Sequence, residues 1–166
     1  AVEFWNEVVA QALSAVEPYV DVVAFGDDIA FQDRLMMRRD QYRRLIKPRH
    51  LQMIEGIKSR SRAKVFFHTC GAAGALIDDL IETGVDALNP VQVSAAGMDT
   101  RHLKQEFGQD ITFWGGACDS QAVLPFGTPE EVTAEARRRI DDLAPGGGFV
   151  FAPVHNVQAG VPSENT

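Results

Sequence analysis

The chain has 166 residues, 45% of them hydrophobic and 23% charged, with a net charge of −7 at neutral pH. That is the composition and length of one globular domain with room for a sizeable core, and the acidic balance argues against a general nucleic-acid binder. No apolar run approaches the ~20 residues of a membrane span and no secretory pattern is present, so the cytoplasm is the expected compartment, where Cys70 and Cys118 are not expected to form a disulfide.

Residues 2–16 carry Trp5, Val8, Val9, Ala12, Leu13 and Val16 at helical spacing, and Glu17-Pro18 ends that helix. VDVVAFGDD (20–28) reads as a buried strand closed by glycine and two acids. Residues 39–60 read as two helices, with Pro48 at the start of the second. The basic residues of DRLMMRRDQYRRLIKPRH (33–50) suit a solvated helix face or a rim for an acidic ligand or partner protein. AKVFFHTCG (63–71) is the next strand, and Leu76, Ile77, Leu80 and Ile81 form a helical stripe that Gly84 stops. VDALNPVQ (85–92) is a third strand, followed by a short helix at 99–107 with Asp99 as N-cap. ITFWGGACD (111–119) is a fourth. Thr128-Pro129-Glu130-Glu131 is a capping box that opens a helix bearing Val132, Ala136, Ile140 and Leu143. Three glycines at 146–148 break it before FVFAPVHN (149–156), a fifth strand.

Apolar strands alternating with helices predict a parallel α/β sheet. Each strand closes in a polar or glycine-rich cluster: GDD, HTCG, NPVQ, GGACD and PVHN. In a parallel sheet all these tips lie on one side, where barrels and open α/β sheets place their sites. Asp27, Asp28, His68, Cys70, Asn89, Gln92, Cys118, Asp119, His155 and Asn156 are therefore expected to converge. Strand residues two apart share a face, so His68 and Cys70 suit one Zn²⁺ ion, with Cys118 or His155 as candidates for a third ligand. The alternatives are a satisfied histidine beside a small buried thiol, and, for Asp27 and Asp28, general acids, metal ligands or helix N-caps. A redox pair lacks C-x-x-C, and Gly71-Ala72-Ala73-Gly74 lacks the rest of a phosphate-binding pattern.

The stretches FHTCGAAGALIDDLIETGVDALNPVQVSAAGMD, ITFWGGACDSQAVLPFGTPEEV and GGGFVFAPVHNVQAGVPSEN, with FGDDIAFQD and the Tyr42–His50 helix junction, resemble the uroporphyrinogen decarboxylase superfamily over almost the whole chain. Its members are (β/α)₈ barrels of about 250 residues or more. The resemblance implies that these five strands are the last five of eight, with three strands absent before Ala1 and a final helix absent after Thr166. It also implies one of two chemistries. Corrinoid-dependent methyltransferases hold Zn²⁺ through a His-x-Cys pair, which His68 and Cys70 match, and a later cysteine, where this chain has His155. Uroporphyrinogen decarboxylases carry a histidine at that later place and use neither metal nor cofactor.

The expectation is zinc-dependent methyl transfer from a corrinoid donor, free or on a corrinoid protein, to a thiol or similar acceptor. His68, Cys70 and His155 are then ligands, with Cys118 as an outer or substitute one. Asp27, Asp28 and His155 are the catalytic candidates, and Asn89, Gln92, Asp119 and Asn156 the substrate-binding ones. A cofactor-free decarboxylase is the alternative, and a non-catalytic corrinoid- or tetrapyrrole-binding module is a third. The unpaired edges of a five-stranded arc also predict self-association or pairing with a complementary chain.

Overall fold

The computed structural model describes residues 2–166. Helix α1 (Val2–Val16) leads into β1 (Val22–Gly26). Next come α2 (Arg39–Leu45), α3 (Lys47–Lys58), β2 (Lys64–His68), α4 (Ile77–Thr83) and β3 (Ala87–Asn89). The chain continues through α5 (Thr100–Phe107), β4 (Thr112–Trp114), α6 (Val123–Phe126), α7 (Pro129–Leu143) and β5 (Phe149–Val150). The five strands form one sheet in the order β1-β2-β3-β4-β5. All four pairings are parallel. With helices between successive strands this is an α/β sheet, the partial wall of a (β/α)₈-type barrel. The outer sides of β1 and β5 have no strand neighbour among the described residues.

The residues that start and stop the helices act as their chemistry predicts. Asp99 accepts from the backbone N–H of His102 at 2.9 Å. Thr128 and Glu131 close a reciprocal capping box. Gly84 takes a left-handed φ of 94° and ends α4. Pro48 sits in the first turn of α3, where its missing N–H breaks no helical bond.

Alternation along each strand separates two faces. Val65 and Phe67 of β2 and Phe113 of β4 point to the helices and are buried, forming the core with Tyr42, Ile54, Ile57, Leu80, Leu103 and Leu143. Phe66, His68, Asn89 and Trp114 lie on the opposite, concave face, where the Phe66 and Trp114 rings meet edge to face at 5.2 Å. At the upper end of this face the register sets Gly26 beside His68 and His68 beside Asn89.

Two sequence expectations change. Part of the basic run 33–50 serves an internal ion-pair cluster, while Arg34 and Arg38 stay exposed. Arg39, Arg43 and Lys47 all reach the buried carboxylate of Asp79 on α4, each at 2.7 Å. Arg39 also meets Asp78, and Lys47 meets Glu82. The expected strands run past the observed ones at their C-terminal ends. Backbone bonds nevertheless continue beyond β4, from Gly115 N to Val150 O at 3.0 Å and from Ala117 N to Ala152 O at 3.1 Å. The tips are thus splayed continuations of the strands.

Candidate metal centre

The upper end of the concave face gathers Asp28, His68 and Cys70, whose ligand atoms all lie within 4.8 Å of one another. Cys70 Sγ is 3.5 Å from His68 Nε2. Zinc bonds of roughly 2.3 Å to sulfur and 2.0–2.1 Å to nitrogen at a tetrahedral angle separate the two donors by about 3.5 Å, so the pair fits one such ion without rearrangement. Asp28 Oδ1 accepts from the Cys70 backbone N–H at 2.9 Å, which brings the carboxylate to the pair and leaves its second oxygen uncommitted. A thiolate, an imidazole and a carboxylate form a donor set that suits Zn²⁺.

The histidine tautomer follows from its neighbours. Asn89 Nδ2 donates to the carbonyl of Trp114 at 2.8 Å, which turns Asn89 Oδ1 toward the imidazole. That oxygen only accepts, so His68 Nδ1 carries the proton in their 2.6 Å contact. Nε2 is then a lone pair aimed at Cys70, the form in which histidine binds metal. Gly26 makes room for the ring, since a Cβ there would stand 3.0 Å from the His68 carbonyl oxygen and 3.1 Å from its Cβ.

The turn after Cys70 is held from beneath. Gln92 is buried, accepts from Gly71 N–H at 2.7 Å and donates to Gln32. Thr69 Oγ1 accepts from Ile29 N–H at 3.2 Å, tying this turn to the tip of β1. Gly71 has φ +88°, and a Cβ there would lie 2.5 Å from the Phe31 carbonyl oxygen, so a side chain is excluded. Burial, with the Asp28 charge adding to it, pushes the Cys70 thiol above its ordinary value. A cation at the cluster is what would favour its thiolate.

Asp27 faces the other way. Its Oδ2 lies 3.2 Å from Nε2 of His50, a side chain only 3% exposed on α3. His50 Nδ1 is 3.0 Å from the Tyr42 hydroxyl. Burial lowers the His50 pKa against the opposing pull of Asp27. Burial also raises that of Tyr42, with Asp79 and Asp27 adding to it. Neutral His50 therefore accepts from Tyr42 O–H at Nδ1 and donates to Asp27 from Nε2. Neither Tyr42 nor His50 was among the residues expected at the site. A signal existed, because His50 interrupts an otherwise apolar stripe that runs from Ile46, at the start of α3, through Ile54 and Ile57.

The other expected site residues divide. His155 and Asn156 line one cleft of about 670 Å³ with Phe66, His68, Asn89 and Val157. His155 is exposed there and, among the described residues, stands outside the three-residue cluster. The carboxylate that approaches His68 and Cys70 within 4.8 Å is that of Asp28. Cys118 also stands outside the cluster. It is buried, lines a cleft under α7 with Leu124, Val132 and Ile140, and burial beside Glu135 and Asp119 pushes its thiol up to about 11. Asp119 is bonded within its own loop. Its Oδ1 accepts from Gln121 N–H at 2.8 Å and Ala122 N–H at 3.2 Å, shaping the turn into α6. Asn89 holds His68 and also lines the cleft, and Gln92 holds Gly71. Neither Asp27 nor Asp28 caps a helix.

The model of the uroporphyrinogen decarboxylase (URO-D) family matches residues 2–166, and the chain belongs to that family. A methyltransferase from Methanosarcina mazei has a similar fold, with a TM-score of 0.70, 22% sequence identity, and coverage of 96% of this chain and 44% of that one. The chain spans less than half the length of that methyltransferase. At this identity the likeness is one of fold. No curated protein matches the chain significantly. No helix among the described residues is long and apolar enough to cross a membrane.

Proposed function

We propose that Asp28, His68 and Cys70 hold one Zn²⁺ ion and that this site serves methyl transfer from a corrinoid donor to a thiol or similar acceptor. The observation that carries the reading is the 3.5 Å approach of Cys70 Sγ to a histidine nitrogen whose tautomer Asn89 fixes for metal binding. The similar fold of a methyltransferase supports the class of reaction. When bound, the ion would supply Lewis acidity that favours the thiolate form of an acceptor thiol.

The chain's own residues do the rest. Asn89 orients His68, Gln92 and Asp28 fix the Cys70–Gly71 turn, and Phe66 gives the cleft an apolar side. In the proposed transfer the acceptor sulfur would take the methyl group, the electron pair of the broken bond would stay with the donor's cobalt, and the acceptor's thiol proton would have to leave. His155, exposed in the same cleft and outside the cluster, is the side chain suited to take it. Its freedom also favours a second reading, a decarboxylase in which His155 contacts the substrate.

Zinc analysis joined to a methylcobalamin demethylation assay with a thiol acceptor tests the choice. The proposal expects one zinc per chain and zinc-dependent loss of the methyl group, both abolished by Cys70→Ser. Wild-type turnover of a carboxylated tetrapyrrole without bound metal would favour the decarboxylase instead.

A further inference from the structure

The Tyr42–His50–Asp27 chain has no part in the proposed chemistry, yet it occupies costly ground. A histidine 3% exposed, with both ring nitrogens in hydrogen bonds, replaces what an aliphatic side chain would fill more cheaply. The ring is confined on its sides as well. Phe25 and Phe67 meet it edge on at centroid distances of 6.3 and 5.1 Å, and Tyr42 lies 5.8 Å away. His50 thus has one orientation, with Nε2 directed to the tip of β1.

Asp27, its partner there, is 55% exposed and would be satisfied by water without a buried donor. What the bond adds is direction. The ladder between β1 and β2 runs one residue past Gly26, through Asp27 N–H to the His68 carbonyl at 3.1 Å. Alternation puts Gly26 on the concave face and Asp27 on the helix side. Asp28 follows back on the concave side, where its carboxylate meets Cys70 N–H. The two adjacent acids therefore point to opposite sides, and only one of them joins the cluster. If Asp27 left His50, the tip could rotate and withdraw the Asp28 carboxylate.

We infer that Tyr42 and His50 are positioning residues for the Asp28–His68–Cys70 cluster: by holding Asp27 on the helix side of the β1 tip, they set Asp28 on the concave side as the third ligand. This rests on the metal reading of the site. The buried pair stands one residue further out than the groups that touch ligand atoms directly, and partners of this kind typically alter metal affinity by roughly 10–100-fold.

The test is Co²⁺ titration of the protein, followed through ligand-field bands in the visible and a thiolate-to-metal charge-transfer band in the near ultraviolet. The variants are His50→Phe, which keeps an aromatic ring between Phe25 and Phe67, Tyr42→Phe, which removes one hydroxyl, and Asp27→Asn, whose amide oxygen can still accept from His50. Wild type should show the charge-transfer band. His50→Phe should weaken Co²⁺ binding by roughly tenfold or more and alter the ligand-field bands. Tyr42→Phe should move in the same direction by less, and Asp27→Asn should stay nearest to wild type. If His50→Phe does not fold, the Tyr42→Phe and Asp27→Asn spectra decide. Wild-type affinity and spectra in both Tyr42→Phe and His50→Phe would overturn the inference and leave the metal site intact. Absence of a thiolate band from wild type would overturn the metal reading, and the inference with it.

Discussion

Replacing Asp79 with asparagine removes the one anion that three cations share. The carboxylate is 0% exposed, and Arg39, Arg43 and Lys47 reach it at 2.7 Å each. Burial opposes its ionisation, but the hydrogen bonds from Arg43, Lys47 and Arg39 outweigh that and lower its pKa from 3.8 to about 2. Nearly two units at about 1.4 kcal/mol each correspond to roughly 2.5 kcal/mol of stability. Removing one partner of a fully buried pair costs about 3–5 kcal/mol. Here the cations are 38%, 48% and 19% exposed and can regain water, so the lower figure governs. Asp79→Asn should thus destabilise the fold by about 2–3 kcal/mol at pH 7, lowering Tm by roughly 5–10 °C. Because the folded pKa is depressed, this contribution is fully present above about pH 4. It is lost as pH falls through about 2, so the wild-type and variant stabilities should converge there. Urea unfolding across that pH range measures it. A loss under ~0.5 kcal/mol at pH 7, or a gap that persists at pH 2, would refute the reasoning.

Asn89→Leu should leave the fold intact and free the His68 tautomer, weakening zinc binding by roughly 10–100-fold in competition with a chromogenic chelator. The open sides of β1 and β5 should make the 166-residue chain self-associate or pair with a complementary chain, and a cooperatively melting monomer in sedimentation at micromolar concentration would contradict that.

The order and direction of the strands were legible because each apolar run ends in a polar tip and each helix has its own punctuation. Gly84, Asp99, Thr128 and Glu131 all act in the structure as local chemistry dictates. The His68–Cys70 pair was legible from its spacing. Which further side chain approaches the pair was not, because proximity among Asp28, His155 and Cys118 depends on where neighbouring strands end and how their tips turn. Asp28 reaches the cluster through a backbone bond to Cys70, which no spacing encodes. The hydrogen-bond partners of Asn89, Gln92 and Asp119 were hidden for a related reason. Polar residues at strand tips suit substrate contact and support of the site equally well, and only their partners decide between them. The short helix α6 went unread because its four residues, VLPF, contain a proline and no period.

The central claim is that one ion sits among Asp28, His68 and Cys70, with Cys118 elsewhere. X-ray absorption at the zinc edge of the metal-loaded protein tests it in one measurement, since sulfur and nitrogen or oxygen shells are resolved by distance. The account predicts a single sulfur at about 2.3 Å, with nitrogen and oxygen neighbours at about 2.0–2.2 Å. Two sulfurs, which would bring Cys118 into the site, or none, which would remove Cys70 from it, would contradict it.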